Sequence, residues 1–188
     1  MSLFEFTFAL SAVVLGLALT HIAATFQKLL LAGKQVRWSI ESVLLACVVL
    51  FVIVSVWLFE WSDKDRTSVA MWQMLLTVAK LLTLYVAAAS CLPEPEGSEP
   101  VNLREHYDRT RLLSFGALIL SLVLFRIEAL AVYGLPAPIT FGAIVNWTLY
   151  PALYALLIFI RRRWFNITVL AFIIAYYGWR IIGIEFAG

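Results

Sequence analysis

The chain has 188 residues, of which 63% are hydrophobic and 14% are charged, and its formal net charge is +2. A soluble domain has roughly 45–50% apolar and about 25% charged residues, so the composition excludes an ordinary soluble globule. It also excludes a disordered chain and a disulfide scaffold, which need low hydrophobicity or dense cysteine. The composition therefore predicts an integral membrane protein.

Six continuous apolar segments predict an all-α, polytopic bundle of six transmembrane helices in a single domain. Each segment is long enough to cross the hydrocarbon core, which takes about 20 helical residues. Such continuous segments do not match the alternating strands of a membrane barrel. The predicted spans are residues 6–29, 40–60, 69–92, 112–133, 139–160 and 165–186.

The first span contains one histidine, His21. Thr7, His21, Thr25 and Lys28 share one helical face. An imidazole gains and loses a proton near neutral pH, so His21 is a candidate for proton relay. A simple hydrogen bond to a neighbouring helix is the structural alternative.

The third span places Lys80 close to the middle of the bilayer. An ionisable side chain there costs at least about 2.5–3.5 kcal/mol on insertion scales, so it needs a partner, a water-filled cavity or a function. Gln73 and Thr77 lie on the same helical face, seven and three residues earlier. The three residues predict a polar intramembrane face, with snorkelling of Lys80 as the structural alternative.

The connection after the third span begins with a stretch rich in proline and glutamate and then becomes basic. We expect a flexible cytoplasmic loop at residues 93–108, with helix forming through residues 103–111. His106 in this segment is interpreted as an ordinary surface histidine in water.

The fourth and sixth spans carry Arg126, Glu128 and Arg180. Arg126 and Glu128 are two residues apart, about 200° around a helix, so each should contact a different neighbour. We expect Glu128 to pair with Arg180, and Arg126 to reach Glu5 or Glu60. Lys80 and the two arginines still outnumber the one deep carboxylate, and this surplus positive charge would attract an anion.

The fifth span has Asn146, Tyr150 and Tyr154 on one face and Pro151 near its middle. Proline removes one helical hydrogen bond and frees the carbonyl of Trp147. Broken helices at membrane depth are where carriers place their sites, although a simple packing kink is the alternative.

The positive charges predict an orientation. Nine of the 14 Lys and Arg residues flank the first, third and fifth connections, three of them in the run at 161–163. Cytoplasmic connections carry an excess of Lys and Arg, so these three connections are predicted to be cytoplasmic and both termini to lie on the other side. The short loops favour a bacterial inner membrane.

A 3+3 inverted repeat is a further hypothesis. Residues 15–23 align without a gap with residues 120–128, which places His21 over Arg126. The other two pairs of spans show no clear match.

Together these features favour a channel or carrier for a small anionic solute, acting as a homo-oligomer or within a larger complex in the lipid bilayer. The alternative is an accessory or assembly subunit of a larger membrane complex with no transport activity. No catalytic residue, cofactor, metal site or nucleic-acid site is predicted. The candidate solute path or polar network consists of Lys80, Gln73, Thr77, Asn146, Tyr150, Arg126, Glu128, Arg180 and His21.

Overall fold

The computed structural model describes residues 3–62, 70–95, 100–134 and 141–182, with side chains described except at 3–6, 61–62, 141–143, 145–146 and 180–182. These residues form six α-helices, one 3-10 turn and two short strands. In chain order they are α1 Leu3–Ala32, the 3-10 turn Gly33–Gln35, β1 Val36–Arg37, α2 Ile40–Ser62, α3 Met71–Cys91, β2 Val101–Asn102, α4 Leu103–Tyr133, α5 Phe141–Phe159 and α6 Arg163–Ile182.

The all-α fold class is confirmed. Within the described residues, α1 to α4 are each long and apolar enough to cross a membrane, and α5 contains a shorter apolar helix, Trp147–Phe159. The structure therefore supports an integral membrane protein with several spans. The helix of α5 continues through Pro151 and is not broken there.

The helix α4 begins at Leu103, as predicted for the basic segment that precedes the fourth span. Asn102 caps it, because its side-chain oxygen accepts a hydrogen bond from the backbone N–H of Arg104 at 3.2 Å. The interpretation of His106 as a surface residue in water is wrong. Its ring is only partly exposed, and Nε2 lies 3.0 Å from the carbonyl oxygen of Ser90 at the end of α3.

The first, third and fifth connections lie at one end of the bundle, which we call the basic end. Strands β1 and β2 pair in parallel, with Val36 opposite Val101, and this joins the first connection to the third. Arg163 at the start of α6 pairs with the buried carboxylate of Glu41 at the start of α2, at 3.0 Å. Ser42 donates a hydrogen bond to the carbonyl of Leu103 at 2.8 Å. The charge pattern in the sequence thus corresponds to a common end of the helices.

Arg111 holds α4 against the end of α5 at the same end. Its guanidinium is buried and donates hydrogen bonds to the backbone carbonyls of Leu157 and Ile160, the second at 3.0 Å. The last carbonyls of a helix have no hydrogen-bond partner within the helix, so this arginine donates to carbonyl oxygens that the helix itself leaves unpaired. The sequence suggested only a topology anchor here.

The helices pack around α3 and α4, which share the most extensive interface. Helix α1 packs on α3, α2 on α6, and α5 on α4. An inverted repeat would require α4 to pack on α6 as α1 packs on α3, and no comparable interface joins α4 and α6 among the described residues. The repeat therefore gains no support from the packing.

Candidate functional site

A cavity of about 350 Å³ lies in the half of the bundle that is remote from the basic end. All six helices contribute to its wall. α1 contributes through its early turns and α3 through its first half, α2, α4 and α6 contribute through their later halves, and α5 contributes Trp147 and Tyr154. Phe59 and Tyr133, whose side chains are 56% and 65% exposed, lie on the wall, so the cavity reaches the molecular surface. Its volume is within the range of small-molecule sites, about 300–1,000 Å³.

A buried ion pair lies on the cavity wall. Lys80 is the tenth of the 21 residues of α3, and its ammonium contacts the carboxylate of Glu128 on α4. The two side chains are only 5% and 13% exposed. The ammonium also lies 4.2 Å from the centre of the Phe125 ring, which adds a cation–π contact. Lys80 therefore finds its counter-ion inside the bundle and does not snorkel.

Arg126 is the second cation of the cavity. Its guanidinium lies 5.8 Å from the centre of the Trp147 ring on α5. No described carboxylate lies within ion-pair distance of it, although Glu60 lines the same cavity. The predicted Arg126–Glu60 pair is thus absent, and the side chain of Glu5 lies outside the described residues. Arg126 and Glu128 do contact different neighbours, as their spacing predicted.

Hydroxyl groups add hydrogen-bonding capacity to the wall. The Ser11 hydroxyl on α1 is 99% buried and has no hydrogen-bond partner among the described atoms. Ser55 and Ser121 line the cavity from α2 and α4, and Tyr154 and Tyr177 line it from α5 and α6. A small solute in the cavity would meet two cations, two carboxylates and several hydroxyl groups on an otherwise apolar wall.

Four of the predicted site residues line this cavity: Thr77, Lys80, Arg126 and Glu128. Tyr150 is buried directly behind it, with its ring 4.9 Å from that of Tyr177. The sequence thus pointed to the charged residues of this cavity wall, because charged residues inside apolar helices are few and conspicuous.

Two predicted residues lie elsewhere. The Gln73 side chain accepts a hydrogen bond from the backbone N–H of Ala70 at 2.7 Å, so it caps the start of α3 and does not line the cavity. His21 is also absent from the wall, and its ring lies 6.2 Å from that of Tyr85.

Two further predictions fall on side chains outside the described residues. Asn146 and Arg180 belong to the helical backbone of α5 and α6, but their side chains are not described. The expected pairing of Glu128 with Arg180 stays a prediction, while the contact of Glu128 with Lys80 is an addition that the sequence reasoning missed.

The sequence reasoning also missed Ser11, Trp147 and the role of Glu60 as wall residues. Ser11 follows Thr7 by four residues, so the two lie on one face of α1, and both line the cavity. The spacing of these two hydroxyl residues could therefore have predicted a polar face on α1. Trp147 looked like any apolar residue, and only the packing of α5 on α4 places its ring beside Arg126.

Comparisons with protein-family models, with curated proteins and with solved structures find no match for this chain.

Proposed function

We propose that the chain is a membrane carrier of six spans that binds a small solute with an anionic group in the cavity. One observation supports this most directly. A cavity of solute size lies between apolar helices, and its wall includes Arg126, a cation that no described carboxylate neutralises. Cations beside a cavity of low dielectric raise the local concentration of anions.

The wall also favours a solute with an apolar body. The rings of Phe8, Phe59, Phe125 and Trp147 line the cavity beside the charged groups. Binding sites for small molecules combine such apolar walls with a few polar groups that fix orientation. A small carboxylic acid in its anionic form, with an aliphatic or aromatic body, fits this combination.

The closed half of the bundle supports a carrier in preference to an open channel. Between the cavity and the basic end, Leu84, Ala87, Ala88 and Phe115 are each at most 1% exposed. Ser90 and Ser114 hydrogen-bond to each other across α3 and α4 at 2.8 Å. A solute in the cavity would have access from one side only, and alternating access would require this packed half to open.

The proposed orientation follows from the basic end. If its Lys and Arg residues lie in the cytoplasm, the cavity opens toward the opposite side, where we place both termini. We also propose that the protein lies in a bacterial inner membrane and forms a homo-oligomer. Neither of these points affects the argument for the cavity.

Uptake into proteoliposomes tests the proposal. Purified protein is reconstituted and assayed with radiolabelled acetate and benzoate, which share the anionic group and differ in the apolar body. We expect saturable uptake that Arg126→Met reduces at least tenfold. Arg109→Met is the matched control, since Arg109 lies on the same helix, is 78% exposed and is remote from the cavity.

Two outcomes would contradict the proposal. Equal uptake by the Arg126→Met variant and the wild type would show that the cavity cation has no part in binding. Absence of uptake, together with recovery of the protein in a fixed ratio with a larger membrane protein after gentle solubilisation, would favour the accessory-subunit alternative.

A further inference from the structure

The charged side chains on the described wall of the cavity differ in how readily a solute can reach them. Lys80 and Glu128 contact each other and are only 5% and 13% exposed, so both are largely withdrawn from the cavity. Glu60 and Arg126 line the same cavity and are only partly buried. The more accessible charged groups of this wall are therefore one carboxylate and one guanidinium, which are opposite in sign.

Glu60 and Arg126 lie at a similar depth on neighbouring helices. The helices α2 and α4 contact each other, and both run away from the basic end. The Phe59 ring on α2 meets the Phe125 ring on α4 edge to face, with the ring centres 6.5 Å apart. Glu60 and Arg126 each follow one of these rings by one residue, a rise of about 1.5 Å along a helix. The two side chains form no ion pair with each other, so a solute with two charged groups can contact both.

Glu60 affects which kind of carboxylate the cavity favours. A solute carboxylate beside Arg126 would share the cavity with the Glu60 carboxylate, and charges of the same sign repel strongly where the dielectric is low. An ammonium group on the solute would be attracted to Glu60 instead. An ionised carboxylate has about four acceptor positions, so Glu60 can accept a hydrogen bond from this ammonium while it contacts another group.

We propose that the preferred solute is a zwitterionic amino acid with an apolar side chain. Its carboxylate pairs with Arg126, and its ammonium pairs with Glu60. Its apolar side chain lies against the rings of Phe8, Phe125 and Trp147, which line the same cavity. This inference rests on the proposed function and narrows its substrate class from a carboxylate to an amino acid.

The Lys80–Glu128 pair positions this site without pairing with the solute. It joins α3 to α4, and the Lys80 ammonium lies 4.2 Å from the centre of the Phe125 ring. Phe125 directly precedes Arg126 on α4. The pair therefore holds in place the part of the wall from which Arg126 reaches the solute.

Three probes separate the two contacts of the solute. L-phenylalanine carries both charged groups, 3-phenylpropionate lacks the ammonium and phenethylamine lacks the carboxylate, while all three keep the phenyl ring. Their binding to the protein in lipid nanodiscs is measured by calorimetry at pH 7. We expect phenylalanine to bind about tenfold or more tightly than 3-phenylpropionate, because it gains a hydrogen bond between charged groups. Phenethylamine should bind more weakly than phenylalanine, because it has no group that pairs with Arg126.

Glu60→Gln is the decisive variant, because it removes the charge and keeps the size of the side chain. It should abolish the advantage of phenylalanine without weakening the binding of 3-phenylpropionate. Two solutes and two proteins then form a cycle that isolates the contact between the ammonium and Glu60. Arg126→Met should weaken the binding of both solutes. Glu105→Gln is the matched control, since Glu105 forms an exposed pair with Arg109 at the basic end, and it should bind all three probes as the wild type does.

The outcomes separate the inference from the function on which it rests. A preference of the wild type for phenylalanine over 3-phenylpropionate below about tenfold overturns the inference and leaves the carrier proposal standing. Binding of benzoate with no binding of phenylalanine has the same meaning. A preference that persists in Glu60→Gln shows that another group holds the ammonium and also overturns the inference. If phenylalanine, 3-phenylpropionate and benzoate all fail to bind, the proposed function itself is overturned. The wild-type comparison decides the preference even if the variant fails to fold.

Discussion

Removal of one partner from the Lys80–Glu128 pair should destabilise the protein strongly, and removal of both should not. Both side chains are at least 87% buried, so each single substitution removes the contact partner of a charge that lies away from water. Loss of one partner of a buried pair costs about 3–5 kcal/mol. We expect Lys80→Met and Glu128→Met each to lower the free energy of unfolding by this amount.

The double variant should behave differently, because both members of the contact are then removed together. Replacement of a buried ion pair by apolar residues of similar volume is often neutral or stabilising. We therefore expect Lys80→Met/Glu128→Met to lie within about 1 kcal/mol of the wild type. The interaction energy of the cycle would then be about 5 kcal/mol or more, which is above the usual range of about 0.5–3 kcal/mol because each single variant leaves a charge buried without its contact partner.

The chain offers an internal control for this measurement. Lys28 and Glu94 form a pair of the same two residue types at 3.4 Å, but their side chains are 55% and 50% exposed. Exposed pairs contribute about 0–1 kcal/mol. The cycle of Lys28→Met and Glu94→Met should therefore give a small interaction energy, which salt reduces further.

The assay is reversible unfolding in mixed micelles, followed as the fraction of denaturing detergent is raised. An effect of less than about 1 kcal/mol at pH 8, equal to that of the exposed pair, would refute the reasoning, because it would mean that water in the cavity screens the charges.

Three further outcomes follow from the structure. Arg111→Met should lower the free energy of unfolding by about 3–5 kcal/mol, because two charge-assisted hydrogen bonds to backbone carbonyls at the end of α5 are lost. Arg111→Lys should recover part of that stability, and a loss below about 1 kcal/mol for Arg111→Met in micelle unfolding would contradict the prediction. Single cysteines at Lys34 or Arg104 should react with a membrane-impermeant maleimide only from the cytoplasmic side, and a cysteine at Met71 only from the other; the reverse pattern would invert the proposed orientation. Ser90→Ala should lower the free energy of unfolding by about 1 kcal/mol, because the hydrogen bond to Ser114 is lost, and should leave anion binding unchanged, because this contact lies outside the cavity. A loss of anion binding would contradict the prediction and show that the packed helices near the basic end hold the cavity in shape.

The helices could be predicted because a membrane imposes a simple rule on the sequence. Backbone groups in lipid must be satisfied within the segment, so long apolar segments become helices, and the six segments correspond to six helices within the described residues. The ends were less predictable. The α4 helix begins at Leu103 because Asn102 can cap it, and this depends on local chemistry that hydropathy does not measure.

The charged core of the site was predictable for a related reason, and its pairing was not. Lys80 and Glu128 stand out because such residues are rare inside apolar helices. Which cation faces Glu128 depends on how α3 rotates against α4, and the sequence alone favoured Arg180. The burial of Arg111 could not be predicted, since a position at the edge of an apolar segment is also typical of an exposed anchor.

The double variant also distinguishes a structural pair from a functional one. A bundle that needs only stability gains little from a buried Lys–Glu pair, because two methionines would serve as well. If Lys80→Met/Glu128→Met is as stable as the wild type and has lost anion binding, folding does not require the pair and binding does. If the double variant is stable and still binds benzoate, neither residue has the role that we assign to it. Stability and binding measured on the same variant therefore decide what the ion pair is for.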